Sequence, residues 1–378
     1  MDWVRLGDIA SYINGYSFKP SDWHDSGLPI IRIQNLTNEY ADYNYTTSEI
    51  DDKYLIKNGD VLISWSATLG VFQWDRGDAY LNQHIFKVVF DKNDINKDFF
   101  KYAVKYSLEK SSKNAHGSTM KHLTRKNFEK IKIPKYSLDK QRKIANLLVK
   151  AEKLIKIRQD QIQALDDLID SYFDEINEKS DKKSISFDDL FTFIDGDRGK
   201  NYPKKNDLLS EGYCLFLNAK NVTTRGFKFD NLEFISQERD ELLRKGRVER
   251  GDLILTTRGT VGNIAFYSDD VPFDKIRINS GMVILRRKQD INPLYFQQLI
   301  RKTHVLKSAM SGSAQPQLPI RNLKNVKIPI IPIDQQNKFA DLVRKIEGQK
   351  GILEESLSEL SDLFSSLMQD AFDGSLGK

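Results

Sequence analysis

Few groups of residues in this sequence have the types and spacing of a catalytic centre. The segment Gly196-Asp197-Arg198-Gly199-Lys200 ends in a Gly-Lys pair, as phosphate-binding loops do, but it is too short for such a loop. Asn201 also stands where that loop needs serine or threonine. No Gly-x-Gly-x-x-Gly segment follows a predicted strand, and no Asn/Asp-Pro-Pro-aromatic stretch of the amino-methyltransferase kind is present. The motifs therefore give no support to nucleotide hydrolysis, dinucleotide binding or self-contained methyl transfer.

The sequence pattern gives equally little support to a metal centre. The single cysteine, Cys214, excludes an internal disulfide framework and a cysteine-based zinc site. The histidines lack the spacing of metal ligands on a helix, and they are His24, His84, His116, His122 and His304. We predict no metal, no cofactor and no catalytic residue. A nuclease-type carboxylate cluster stays open as an alternative, although no candidate stands out among the acids.

Small polar and basic loops follow several predicted strands, and their residue types suit contact with DNA. Gln and Asn can pair with adenine, Arg can pair with guanine, and Ser and Thr contact phosphates or bases. In the first half of the chain the candidate DNA-binding residues are Gln34, Asn35, Ser64, Trp65, Ser66, Gln83, His84, His116, Ser118, Thr119, Lys121 and His122. In the second half they are Lys220, Asn221, Thr257, Arg258, Thr260, Asn279, Ser280, Ser313, Gln315 and Gln317.

Each of these residues also has a structural alternative. Polar residues of these types commonly cap helices or stabilise turns, so any single one can serve the loop instead of the DNA. Trp65 can be a core residue. Arg258 lies among glycines and small residues, and we take it as the best single candidate for reading a base.

The elements that position these loops occur twice. Ile131-Lys132-Ile133-Pro134 and Leu138-Asp139-Lys140-Gln141 recur as Val326-Lys327-Ile328-Pro329 and Ile333-Asp334-Gln335-Gln336, at an offset of 195 residues. The offset holds without a gap over about forty positions, which indicates an internal duplication. The preceding segments match more loosely: Gly59-Asp60 and its strand correspond to Gly251-Asp252 and its strand.

Each repeat continues as a long amphipathic stretch, to about Glu178 in the first copy and Ala371 in the second. Apolar residues recur there at the three-and-four spacing of one helix face, and Asp139 and Asp334 are predicted N-caps. About 37 residues would form a helix roughly 55 Å long. We expect the two helices to bury their apolar faces against each other, with two unrelated helices on separate cores as the alternative.

Length and charge describe the rest of the chain. At 378 residues it is long enough for two globular domains. Residues 97–135 contain 11 Lys or Arg and 3 acids, and residues 292–330 contain 6 and none, whereas both helical stretches carry more acids than bases. A basic region at the same place in each copy favours a polyanionic partner, with solvated lysines as the alternative.

The first residues, Met1 to Arg5, do not form a signal peptide, and no apolar segment is long enough to span a membrane. We therefore expect a cytoplasmic protein.

The order of the segments predicts a geometry. The first helix leaves the first domain and must reach the second, so a paired second helix returns antiparallel to it. Two similar domains would then lie at the two ends of a two-helix spacer, related by a pseudo-two-fold axis. Duplex DNA has the same backbone symmetry, and proteins with two readers use it to set the spacing of half-sites.

The doubled Ile/Val-Lys-Ile-Pro and Leu/Ile-Asp-x-Gln segments, with their long helices and the doubled Gly-Asp strand, resemble the specificity subunit of Type I restriction-modification systems. The resemblance covers nearly the whole chain. It implies an α+β fold in which two mixed α/β target-recognition domains, 1–137 and 179–333, are separated by spacer helices, 138–178 and 334–378, that form an antiparallel coiled coil. The family often has Glu before the helix-start Gln, where this chain has Lys140 and Gln335.

The resemblance also implies partners. Such a subunit binds double-stranded DNA, reads half of a split site with each domain, and recruits two methyltransferase and two nuclease-translocase subunits that do the chemistry. The exposed acids of the helices, predicted at Asp166, Asp167, Asp170, Glu354, Glu355 and Glu359, would face those partners or solvent. A stand-alone DNA-binding regulator with two readers, and an intrinsic DNA-modifying enzyme, remain the alternatives.

Overall fold

The computed structural model describes residues 2–38, 40–66, 68–114, 124–312 and 316–373, with side chains up to residue 110 in the third range. The chain divides into two compact units. Unit 1 comprises Met1–Asp160 and Glu354–Lys378, and unit 2 comprises Gln161–Leu353. Two long helices contribute to both units: α4 (Leu138–Lys179) and α9 (Ile333–Phe372). The predicted α+β fold class with a pair of long helices is confirmed.

Unit 1 is built from short strands around one long domain helix. Its strands are β1 (Trp3–Arg5), β2 (Ser11–Asn14), β3 (Leu28–Ile31), β4 (Asn44–Thr46), β5 (Leu55–Ile56), β6 (Val61–Ser64), β7 (Gly70–Gln73), β8 (Ala79–Leu81), β9 (Ile85–Val89) and β10 (Lys132–Pro134). Its shorter helices are α1 (Ile33–Thr37), α2 (Lys97–Asn114) and α3 (Arg125–Glu129). They form an antiparallel sheet in the order β2-β9-β6-β7, a mixed sheet in the order β4-β3-β8-β5, and the pair β1-β10.

Unit 2 repeats this plan. Its strands are β11 (Lys183–Ser186), β12 (Phe191–Asp195), β13 (Cys214–Leu217), β14 (Val222–Thr223), β15 (Gly226–Phe227), β16 (Phe234–Ile235), β17 (Leu253–Thr256), β18 (Ile264–Phe266), β19 (Ile276–Ile278), β20 (Met282–Arg287) and β21 (Lys327–Ile330). Its helices are α5 (Phe187–Leu190), α6 (Gln237–Leu242), α7 (Pro293–Lys302) and α8 (Ile320–Lys324). The sheets are β12-β20-β17-β18, β16-β13-β19, β14-β15 and β11-β21, so the strand order of the first four-stranded sheet recurs.

The glycine before each central strand shows why the repeated Gly-Asp sequence is needed. Gly59 and Gly251 have φ values of 90° and 93°, in the left-handed region that side chains avoid. The aspartate after each glycine accepts a hydrogen bond from a backbone amide of the same turn. Asp60 accepts from the Lys57 amide at 2.9 Å, and Asp252 accepts from the Glu249 amide at 2.8 Å. Strands β6 and β17, which follow, are buried along their whole lengths.

Both long helices pack into the core of each unit. Their contacts in these cores show in which direction they run relative to each other. In unit 1 the start of α4, at Ile144, packs in the same core as the end of α9, at Phe372. In unit 2 the end of α4, at Phe173, packs with the start of α9, at Phe339, with ring centroids 5.6 Å apart. The two helices are therefore antiparallel within each unit, as predicted.

The apolar stripe is less completely buried than the sequence predicts. Leu168 and Leu363, which occupy matching positions in the two copies, are 48% and 53% exposed. Leu147 and Leu154 are also exposed. Two helices cover only a narrow seam of each other, and the positions flanking that seam stay outside wherever no domain core adds a third layer.

The predicted N-caps are wrong by two residues. Helix α4 begins at Leu138 and α9 at Ile333, so Ser137 and Pro332 precede the helices while Asp139 and Asp334 lie inside the first turn. Pro332 accepts the amide of Gln336 at 3.1 Å through its carbonyl oxygen. Acids in a first turn favour the helix through the dipole rather than through a cap hydrogen bond.

The glutamine of the repeated motif is buried and joins each long helix to its domain. Gln336, which is 1% exposed, accepts from the Asn292 amide at 2.9 Å and donates to the Ile331 carbonyl at 2.8 Å. Gln141 makes the same two bonds, with the Asn96 amide and the Tyr136 carbonyl, at 2.8 and 2.9 Å. Each glutamine therefore connects the first turn of a long helix to the start of α2 or α7.

Replacing Gln336 with alanine should lower the free energy of unfolding of unit 2 by about 1–3 kcal/mol, because a buried amide and a buried carbonyl lose their partner. Denaturant titration checks this value. Gln349→Ala, at an exposed position of the same helix, is the matched control. An equal loss in both variants would show that the motif glutamine has no special role.

Candidate nucleic-acid interface

The loop after β17 in unit 2 holds the strongest predicted base reader. The hydroxyl of Thr256 donates to the Thr260 carbonyl and accepts from the Asn263 amide at 3.0 Å, which closes the loop tightly. Gly259 and Gly262 have φ values of 75° and 93°, so the turn depends on glycine at both positions. Arg258 is exposed on this loop, which we name the 257–260 loop.

Backbone hydrogen bonds fix the 257–260 loop against the turn after β19. The amides of Thr257 and Arg258 donate to the Gly281 carbonyl at 2.8 and 3.1 Å, and the Thr257 hydroxyl donates to the same oxygen. The Asn279 side chain accepts from the Gly281 amide at 2.9 Å. Asn279 and Thr257 therefore shape the turn, while Ser280 is half-buried between them and the surface.

Two further predicted segments meet the same loop. The Thr260 hydroxyl donates to the Ala219 carbonyl at 3.1 Å, next to Lys220, which is exposed. The Leu318 amide donates to the Thr257 carbonyl at 3.0 Å, next to Gln317, which is also exposed. The structure thus brings together all four predicted segments of the second copy as far as they are described.

Arg258 lies in a shallow, basic groove. We name it the Arg258 groove, and its lining includes Asp195, Arg198, Thr257, Arg258, Gln317 and Arg321. Arg198 forms an ion pair with Asp195 at 3.0 Å. In the described part of the chain, neither Arg258 nor Arg321 has a carboxylate within salt-bridge distance. Two guanidinium groups are therefore available to an anionic or base-edge ligand.

Several predicted readers are buried and form hydrogen bonds within their own loops. Asn35 accepts from the Arg32 amide at 3.0 Å and donates to the Ala41 and Asp42 carbonyls. Asn221 repeats this pattern with the Asn218 amide and with two carbonyls, at 3.2 and 3.3 Å. Ser64 is buried and donates to the Thr68 carbonyl. These contacts favour the turn-stabilising alternative for all three residues.

In the first copy, Trp65 and His84 lie against each other. The Trp65 amide donates to the His84 carbonyl at 3.1 Å, the two rings lie 4.8 Å apart, and the indole N–H donates to Asn14 at 3.2 Å. His84 has a φ of 73°, which is unusual for a residue with a side chain. Gln83 is exposed and accepts from the Ser17 hydroxyl at 3.1 Å.

Gln34 is exposed on α1, whereas Ser66 is buried. Half-burial of Trp65 agrees with its partial packing on the core of unit 1. The other candidates, His116, Ser118, Thr119, Lys121, His122, Ser313 and Gln315, lie outside the described residues.

Sequence reasoning missed two arginines of the Arg258 groove, Arg198 and Arg321. Arg198 lies in the segment that resembles a phosphate-binding loop, three residues after the end of β12. Its neighbour Asp197 is buried and accepts from the Gly199 and Arg244 amides at 2.7 and 2.8 Å. Burial would raise the pKa of Asp197, but these amides and the Arg244 guanidinium hold that pKa below its ordinary value.

Within the described ranges, no three His, Cys, Asp or Glu side chains are grouped as metal ligands would be. No helix there is both long and apolar enough to cross a membrane.

Comparison with known proteins gives the class of this fold. A family profile described as "Type I restriction modification DNA specificity domain" matches residues 1–166 and again 179–361. The chain therefore belongs to this family and is a Type I restriction-modification specificity subunit.

Individual relatives agree with this assignment. The Type I restriction enzyme EcoBI specificity subunit of Escherichia coli is 21% identical, over 99% of this chain and 86% of that protein. The MjaVIII specificity subunit of Methanocaldococcus jannaschii is 26% identical, over 92% and 86%. The crystal structure of a Type I S subunit from M. genitalium superposes with a TM-score of 0.59 at 17% identity, covering 98% of this chain and 96% of that one, which shows the same fold.

Proposed function

We propose that this chain recognises a bipartite site in double-stranded DNA and has no active site of its own. The recognition domains would be residues 1–137 and 179–333, each reading one half of the site. The spacer helices would be 138–178 and 334–378, and their length would set the gap between the halves. The observation that carries this proposal is the assembly of four polar loops around Arg258, which has no ion pair among the described residues, on a strand framework that recurs in unit 1.

The residues proposed to contact DNA are those that the structure leaves exposed on the loops. They are Arg258, Thr260, Lys220 and Gln317 in unit 2 and Gln34 and Gln83 in unit 1, with half-buried Trp65 and His84 beside Gln83. The described part of the 292–330 segment adds Arg321 and other cations without a single acid. Phosphate contacts from such residues would hold the duplex while the loops read bases.

The long helices would dock two methyltransferase subunits and, for cleavage, two nuclease-translocase subunits, in the cytoplasm. Exposed leucines at matching positions, Leu168 and Leu363, support two equivalent docking surfaces. Glu354, Glu355 and Glu359 are exposed on α9, as predicted. Asp166 is only half-exposed and pairs with the buried Lys350 at 2.5 Å. Asp170 is exposed, as predicted, and also accepts from Gln298 of unit 2 at 2.6 Å.

Methylation-sensitive sequencing of host DNA tests the bipartite site and the spacer together. The wild-type chain should give two short half-sites separated by a fixed gap. Seven residues inserted after Asp160 and seven after Leu353 would fall at the boundaries between the units and preserve each helix face, since seven residues make about two turns. Both helices lengthen by about 10 Å, so the same half-sites should appear with a gap longer by roughly three base pairs.

An insertion of equal length at the exposed Asp269-Asp270 turn is the control and should leave the gap unchanged. An unaltered gap in the lengthened chain would show that the helices do not measure the DNA. A single uninterrupted methylated sequence in the wild type would remove the two-reader proposal.

A further inference from the structure

The Gly196–Lys200 segment, which is too short for a phosphate-binding loop, is joined to a second loop of unit 2 by the side chain of Asp197. The buried Asp197 carboxylate, 5% exposed, accepts one amide from its own loop at Gly199 and one from the loop after α6 at Arg244. Both of its oxygens are thereby used to join two loops that are 47 residues apart in sequence. The amides that could have held a phosphate are occupied by the aspartate, so the loop itself is not an anion-binding nest.

Close packing of glycines holds the two loops against each other. A Cβ at Gly246 would lie 3.3 Å from the Cα of Gly196, and Gly246 has a φ of 86°. A Cβ at Gly199 would lie 2.9 Å from a terminal nitrogen of Arg244, so this guanidinium lies across the turn. The exposed side chains of the two loops include the cations Arg198, Lys200 and Arg244.

The exposure of these cations is high. Arg244 is 79% exposed and has a guanidinium nitrogen 3.9 Å from Asp197. Lys200 is exposed and has no ion-pair partner in the described part of the chain. Arg198 is half-exposed, pairs with Asp195 and donates to the Ser280 carbonyl at 3.4 Å, which places the cluster at the edge of the Arg258 groove.

The first copy has a different surface at the corresponding positions. Residues 196–205 and 244–247 contain seven Lys or Arg and one acid. Residues 15–24 and 52–55 contain two Lys and two Asp. In place of the joined loops, unit 1 has an aromatic cluster in which Tyr16 lies 4.9 Å from Phe18 and 5.4 Å from Tyr54 between ring centroids.

We propose that Arg198, Lys200 and Arg244 form a phosphate-contacting platform beside the Arg258 groove, and that Asp197 is the residue that positions it. The platform would carry little base specificity. Unit 2 would then contribute more of the salt-dependent affinity for DNA than unit 1 does. This inference rests on the proposed function, because the ligand is the backbone of the DNA duplex that the groove reads.

The test measures binding of the full chain to a duplex that carries its methylated site, across a range of salt concentrations. Each phosphate contact contributes about 0.9 to the slope of log affinity against log salt. The triple variant Arg198→Gln, Lys200→Gln, Arg244→Gln should reduce the magnitude of that slope by about 2–3. The loss of affinity that a single mismatched base causes should be the same in this variant as in the wild type. The matched control is Lys19→Gln, Lys53→Gln, Lys57→Gln, which removes three exposed cations from unit 1.

A reduced slope in the first triple variant and a smaller reduction in the control support the platform. Equal reductions in both, or no reduction in the first, would overturn it. Asp197→Ala gives a second test, because the two explanations predict opposite changes in DNA affinity. If only net charge mattered, removal of an acid would tighten binding. If Asp197 positions the platform, its loss should weaken binding and reduce the salt slope. A wild-type chain that binds no duplex preferentially would reject the proposed function itself, which separates that failure from failure of the platform.

Discussion

Replacing Asp240 with alanine should lower the free energy of local unfolding in unit 2 by about 3–5 kcal/mol, the largest loss of stability expected from a single change. Asp240 and Arg277 are 2% and 3% exposed, and the aspartate accepts from Arg277 and from Arg247. Arg277 also donates to the Asp240, Leu243 and Lys245 carbonyls at 2.8, 3.0 and 2.7 Å. Removing the carboxylate would leave a buried cation without its counter-charge.

The single cysteine makes this loss measurable. Cys214 is buried in the same unit, and burial together with the Asp240 charge raises its pKa to about 12. The thiol would react with an alkylating reagent only in an opened state, where its pKa returns to the ordinary value. The labelling rate should therefore rise by about two to three orders of magnitude or more in Asp240→Ala, since 1.4 kcal/mol corresponds to a factor of ten.

Two comparisons make the result specific. Glu241→Ala, on the exposed side of the same helix, should leave the labelling rate near that of the wild type. All four tryptophans lie between residues 3 and 74, in unit 1, so unfolding followed by their fluorescence should be unchanged by Asp240→Ala. A wild-type labelling rate in Asp240→Ala would show that the buried pair does not stabilise unit 2.

The sequence predicted the duplicated framework because that framework depends on residues that repeat. Buried strands, the Gly-Asp turn and the motif glutamine keep their type in both copies, and their spacing is visible without coordinates. The Asp240–Arg277 pair could not be found in this way. Strand β8 has Tyr80 where β19 has Arg277, and Tyr80 donates to the Ile50 carbonyl at 3.2 Å, so the two copies fill one buried position with different chemistry.

The residues proposed to contact DNA are harder to predict from the sequence than the loops that carry them. Residue type does not separate an asparagine that reads adenine from one that closes its own turn, and burial assigned Asn35 and Asn221 to their turns. The exposed leucines also required coordinates, because a periodic stripe shows which face is apolar but not how much of that face a single partner helix covers. Arg198 could not be predicted because its place beside Arg258 depends on the packing of β12 against the rest of its sheet, which the sequence does not show.

Replacing Arg258 with alanine should relax discrimination at one base pair of the half-site that we propose unit 2 reads, by about 1–3 kcal/mol, or roughly 5- to 150-fold. Arg258 is exposed at the tip of a loop closed by two glycines and held by the Gly281 carbonyl. In the described structure its guanidinium forms no ion pair. The measurement is binding to duplexes that carry every single-base change in each half-site.

The lysine variant separates shape from charge at this position. Arg258→Lys keeps the positive charge but loses the planar fork that bonds two acceptors of guanine, so it should lose most of the discrimination while its salt slope stays at the wild-type value. If Arg258 only contacted phosphate, lysine would restore wild-type behaviour at every position. Base discrimination in the half-site proposed for unit 1 should be unchanged in both variants, because the 257–260 loop makes its described contacts within unit 2. Equal losses in the two half-sites would contradict independent reading, since a change in one loop would then alter the whole site.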